Sequence, residues 1–216
     1  MRALALGAPL ADVALTSFVT LFVIIDPIGL VPMFVALTGG LAVRERRAIA
    51  ARACLTGFGI LLVFGLAGEA LLALIGIGMP AFRIAGGLLL FLTALDMLFE
   101  KRRPRREKSV EARATPADDP AIFPLATPLI AGPGAMATMI LLVEQQPAVA
   151  GQAVVFSVMA AVVLSAYLLF QLAGLLERAL GPLGINVVTR LLGMLLAALS
   201  VQFVLDGLRD VSAGWS

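Results

Sequence analysis

Residues 20–38 read TLFVIIDPIGLVPMFVALT, an apolar run that carries an ionisable Asp26 directly before Pro27, with Pro32 not far beyond. A continuous membrane helix accommodates none of these well. Proline has no N–H, so Pro27 leaves the carbonyl of Val23 without its helical donor, and Pro32 does the same to Ile28. Asp followed by Pro is also how a helix begins, with the carboxylate capping the first N–H groups and the ring at the first helical position. The stretch therefore predicts two half-helices that meet at Asp26.

Lipid is the setting that the composition requires. Of the 216 residues, 61% are hydrophobic and only 14% charged, more apolar surface than a water-soluble domain can bury. A spanning helix needs ~20 mostly apolar residues, and six such runs lie at 14–38, 48–76, 79–99, 121–144, 148–175 and 186–208. Their length and Leu/Ala content favour helices over the alternating strands of a membrane barrel. The fold class expected is an all-α membrane protein of six transmembrane helices. A cleavable signal peptide over Arg2 and ALALGAPLADVAL is not expected, because the first long run follows at once with no small-x-small site; residue 1 is expected to be the mature start.

Charge orients the runs. With alternating helices, Arg44, Arg46, Arg47, Arg52, Arg178, Arg190 and the basic residues of the stretch 101–113 all fall on one face, leaving only Arg2, Arg83 and Arg209 for the other. Positive charge marks the cytoplasmic face. Both termini are expected outside the cytoplasm and the linker 101–120 inside it, in the plasma or inner membrane. The linker's acids, among them Glu107, Glu111, Asp118 and Asp119, offset much of its basic charge, so it reads as a solvated topology signal and not as a nucleic-acid patch.

The linker divides the chain into three-helix halves, 1–100 and 121–216. FRIAGGLLLFLTALDML (82–98) and TRLLGMLLAALSVQFVLDGL (189–208) correspond: Arg83 matches Arg190, Gly86 matches Gly193 and Thr93 matches Ser200. The DPIG of the first run and the GPGA of the fourth both break a helix near its middle. An odd number of helices per half turns the second copy over, the inverted repeat common among secondary transporters. Both breaks are expected near mid-membrane, where irregular backbone survives only inside protein or along a cavity, so the two tips are expected to converge on a hollow.

The stretches DPIGLVPMF, FRIAGGLLLFLTALDML, FPLATPLIAGPGAMAT and TRLLGMLLAALSVQFVLDG together resemble the MarC family of bacterial inner-membrane proteins. The likeness extends over essentially the whole chain. It implies six helices with the termini outside, and membership of a group that includes transporters of small neutral amino acids. Gly78, where a serine is expected, and Met136, where an isoleucine is expected, depart from the pattern and bear on pocket size or selectivity.

The residues suggest how a zwitterion is recognised. A helix N-terminus offers unpaired N–H groups and partial positive charge to a carboxylate. At the second break Gly132 and Pro133 leave the N–H groups of Gly134 and Ala135 for the substrate's carboxylate, while at the first Asp26, beside Pro27 and Gly29, meets its ammonium, carries a coupling proton or only caps the helix. Thr138 is a candidate polar contact, and the small residues around it suit a small side chain. Proton and sodium both stand as coupling ions. Arg83 and Arg190 each begin a helix, against the dipole, so ion pairs Glu69–Arg83 and Glu177–Arg190 are expected. Asp96 and Asp206, near helix C-termini, each need a partner or water.

Enzymatic chemistry finds no support. The chain has no histidine and one cysteine, Cys54, which excludes a His-based triad, a thiolate metal cluster and a disulfide. No phosphate loop or dinucleotide fingerprint appears, and Asp96 and Asp206 lack the context of an intramembrane aspartyl protease. No metal, cofactor or nucleic acid is expected. The competing reading is a non-transporting membrane scaffold or regulatory subunit.

Overall fold

The computed structural model describes residues 9–99 and 119–213, and among these the chain is helical with no strand. The helices are α1 (Leu10–Ile25), α2 (Pro27–Thr38), α3 (Val43–Leu74), α4 (Met79–Leu98), α5 (Ala121–Ile130), α6 (Pro133–Glu144), α7 (Val149–Gln171) and α8 (Ala173–Ala213). Helix α8 is bent at Gly181, whose φ of 60° and ψ of 177° are not helical. Most of the linker 101–120 lies outside the described residues.

Among the described residues, five stretches are long and apolar enough to cross a membrane: Leu10–Thr38, Val43–Leu74, Met79–Leu98, Val149–Gln171 and Leu183–Ser212. The predicted fourth run, 121–144, is divided between α5, of 10 residues, and α6, of 12 residues, each too short to cross alone. Helix α5 is wound with i→i+5 bonds, ending with Ala131 N–H donating to the Ala126 carbonyl at 2.9 Å. Helix α3 starts at Val43, earlier than the apolar run at 48, because Glu45 accepts a bond from the Ala42 N–H at 3.2 Å and helps to begin the helix within the charged segment.

Large apolar side chains such as Leu55, Leu66, Leu74 and Leu183 are exposed, as on a surface meant for lipid. Lipid tails are as apolar as leucine, so burial does little to hold such helices together, and close packing must do it. Glycines provide that packing. A Cβ on Gly87 would stand 2.8 Å from the Ser200 carbonyl oxygen, one on Gly193 2.9 Å from Met97 Cβ, and one on Gly207 2.7 Å from Ile84 Cγ1. The numbers rise on α4 as they fall on α8, so the two helices are antiparallel. Helix α3 instead runs parallel to α5 and α6: Gly57 faces Ile130 and Gly68 faces Ile140. Helix α7 packs along both α1 and α2. Cys54 is a free, buried packing residue in α3.

Candidate functional site

The first break is held by one residue. Asp26 takes a left-handed conformation (φ 51°, ψ 62°), the only non-glycine residue with positive φ among the described residues. Its N–H closes α1 on the Phe22 carbonyl at 2.9 Å, and its own carbonyl accepts from Leu30 N–H at 3.1 Å to open α2. Its Oδ1 accepts from the Gly29 N–H at 3.0 Å. Asp26 thus ends one helix and caps the next, and it is fully buried. Pro27, also buried, needs no donor at the first helical position. A carboxylate in such surroundings is tolerable only because the helix N-terminus and its N–H groups face it.

The second break has no such occupant. Ala131 (φ −99°, ψ 62°) and extended Gly132 (φ −75°, ψ 165°) separate α5 from α6, and no side chain caps the Gly132 end. Met136 N–H reaches the Gly132 carbonyl at 2.9 Å. Pro133 has no N–H, and those of Gly134 and Ala135 precede the first intrahelical acceptor. The contrast predicted between a carboxylate-capped tip and an open one is present.

The tips meet. A Cβ on Gly134 would lie 3.9 Å from Cγ2 of Ile24, a near neighbour of Asp26 in the chain, and 2.9 Å from Cδ2 of Leu90 on α4. The hollow expected between them is filled here by Ile24 and Leu90, both buried, because Gly134 without a side chain invites apolar neighbours onto the α6 tip. Thr138 lies on the same face one turn on. Its Oγ1 is buried and has no hydrogen-bond partner among the described residues. Helical side chains lean toward the N-terminus, which turns this hydroxyl toward the open tip. Pro133 is exposed and Gly132 half-buried, so the tip reaches the protein surface on that side.

The predicted ion pairs need correction. Arg83 does not pair with Glu69, which is exposed on α3; its guanidinium bonds Glu144 at the end of α6 (2.7 Å) and Asp210 near the end of α8. Depth decides this. Arg83 begins a helix while Glu144 and Asp210 end theirs, so each charge opposes its own helix dipole and the three offset one another. The same count of helix ends, applied to the sequence, would have placed all three on one face. The Glu177 side chain lies outside the described residues, and the Glu177–Arg190 pairing with it. Asp206 has the partners it needs, in Gln202 Nε2 at 2.9 Å and Arg209 at 3.8 Å. Elsewhere Arg52 meets Asp119 at 2.5 Å, and Asp119 Oδ1 accepts from the Ala121 N–H that opens α5.

With one helix break packed beside the other broken helix, the comparison with known proteins becomes informative. Residues 11–212 match the family described as MarC family integral membrane protein. The chain belongs to the MarC family. Similar members include a membrane protein of Aquifex aeolicus, 36% identical over 196 residues, covering 90% of this chain and 92% of that protein. The inner membrane protein YhgN of Escherichia coli K12 is 35% identical, over 90% of this chain and 95% of its own length. A membrane protein of Archaeoglobus fulgidus is 38% identical over 90% of this chain and 91% of its own. No solved structure matches. This MarC chain is thus an integral multi-pass membrane protein, and the names of its relatives specify neither substrate nor mechanism.

Proposed function

We propose that this MarC protein is a secondary transporter that carries small neutral amino acids by alternating access between two inverted three-helix halves. The observation that carries the reading is two unlike breaks: a carboxylate-capped break at Asp26 and an uncapped, N–H-rich break at Gly132–Ala135 packed beside Ile24, with the Thr138 hydroxyl, unpartnered among the described residues, one turn beyond the second. An amino acid's carboxylate suits the α6 tip, and its ammonium suits the charge of the Asp26 carboxylate. Since Leu90 and Ile24 stand over the tip, substrate entry requires α4 and α1 to shift away from α6.

The helix packing supports the inverted repeat. Corresponding helices α4 and α8 lie antiparallel on each other, as they must about a two-fold axis in the membrane plane. The contact of α3 with α5 and α6 is the counterpart of that of α7 with α1 and α2. Read with six spans and the positive-inside bias, both termini lie outside and the linker 101–120 in the cytoplasm. The amino-acid substrate is inferred from the family likeness together with the small residues around Thr138.

Flux of labelled glycine, alanine, serine and larger amino acids into vesicles holding the purified chain, with and without proton and sodium gradients, tests the reading. Uptake of the small neutral members, lost in Asp26→Asn, is expected. Absence of flux for the whole panel under every gradient would leave the scaffold reading in its place.

A further inference from the structure

Contacts of different chemistry tie the two halves together at two places. At one end Arg83 of α4, in the first half, holds Glu144 of α6 and Asp210 of α8, in the second. At the other, Phe34 of α2 stacks on Phe170 of α7 with ring centres 4.5 Å apart and planes 11° from parallel. The two ends are opposite. Phe34 lies beside Arg46 at the start of α3, 5.6 Å from guanidinium carbon to ring centre, whereas Ile140 of α6 faces Gly68 toward the end of α3 and Glu144 lies one turn further on. Phe34 lies about 12 Å along the helix from its break and Glu144 about 18 Å from its own.

The ends differ in how readily they part. Arg83 is 13% exposed, but Glu144 and Asp210, at 29% and 40%, already touch water. Each carboxylate can exchange its guanidinium for solvent at small net cost. Arg83 Nε is buried with no partner among the described residues, so the guanidinium is not fully committed to this arrangement. Two buried rings have no comparable exchange, because parting them only exposes apolar surface. We propose that Arg83, Glu144 and Asp210 form the releasable lock of one entrance, opening the α6 tip to that side while the Phe34–Phe170 stack keeps the other side shut. The lock rests on the alternating-access reading but not on the amino-acid substrate.

Side-specific cysteine labelling tests it. In a Cys54→Ser background, Thr138→Cys places a thiol of similar size at a buried position whose hydroxyl has no partner to lose. The chain is reconstituted in vesicles and labelled with a membrane-impermeant maleimide from each face. Arg83→Gln is expected to raise labelling from one face by about tenfold or more, the scale set by losing a charge-assisted hydrogen bond, with little change from the other. Phe34→Ala should do the reverse, and Arg83→Lys should fall between Arg83→Gln and the parent. If Arg83→Gln fails to fold by size-exclusion and circular dichroism, Glu144→Gln carries the same test with the arginine in place. Unchanged labelling in the folded lock variants, or an equal rise from both faces, would overturn the proposal. Saturating L-alanine separates the two claims: labelling that alanine alters but the lock variants do not sinks the lock alone, whereas lock-dependent labelling that alanine never alters supports the lock and counts against the amino-acid substrate.

Discussion

Gly29 leaves vacant the space that the Asp26 carboxylate fills: a Cβ at position 29 would stand 2.0 Å from Asp26 Oδ2 and 2.7 Å from its Cγ. The two residues are one device, a carboxylate laid over the first turn of α2 and a glycine that lets it lie there. The carboxylate accepts from the same glycine's N–H, so a side chain at 29 disturbs both the space and the bond.

Gly29→Ala is therefore expected to destabilise the chain by about 2 kcal/mol, combining overpacking with loss of the cap. Asp26→Gly keeps the left-handed backbone at low cost and removes the colliding group. The double variant Asp26→Gly/Gly29→Ala should then melt higher than Gly29→Ala alone, measured by circular dichroism in detergent. A double variant less stable than either single would show that the collision is not what makes Gly29 necessary.

The breaks were legible because proline and an Asp-Pro pair act locally: Asp26–Pro27 and Gly132–Pro133 interrupt a helix whatever packs around them. The antiparallel match of α4 with α8 was foreshadowed in the same way by the shared Arg, Gly and hydroxyl spacing of the two segments. What lay hidden depends on distant residues. Arg83 chooses Glu144 and Asp210 over Glu69 because α4 packs on α6 and α8, helices far from it in sequence. Leu90 covers the α6 tip because α4 passes it, which no local pattern records. Helix ends were misjudged where charged residues continue a helix beyond its apolar run, as at Val43.

Helix contacts that lack a hydrophobic drive should be unusually sensitive to a single methyl. At Gly87 the obstacle is backbone, the Ser200 carbonyl oxygen at 2.8 Å and the Val204 nitrogen at 3.1 Å, which cannot rotate aside. Gly87→Ala is expected to push α4 and α8 apart and cost about 1–3 kcal/mol. Gly59 on α3 is the control, since a Cβ there meets nothing within 4 Å. Gly59→Ala should be neutral or stabilise by about 0.5–1 kcal/mol, because a helical glycine gives up more backbone entropy than alanine. Melting curves for the pair check both, and equal losses at 59 and 87 would contradict the packing argument.

Thr138 separates the demands of folding from those of binding. A buried hydroxyl without a partner costs the resting protein desolvation that nothing repays, on the order of 1–3 kcal/mol. Thr138→Val replaces it with a methyl in nearly the same volume, so the variant is expected to melt at a higher temperature than the parent. The hydroxyl also leans toward the open N–H groups of Gly134 and Ala135, where a bound carboxylate would finally give it a partner. Transport by Thr138→Val should accordingly show a raised KM for the small neutral amino acids, by about five- to tenfold for one lost hydrogen bond. Thr138→Ser, which keeps the oxygen, should hold KM near the parental value. A variant that is more stable yet binds more weakly is the signature of a polar group kept for a ligand. If Thr138→Val is instead less stable and its KM is unchanged, the hydroxyl serves the fold, and the site must be sought away from the α6 tip.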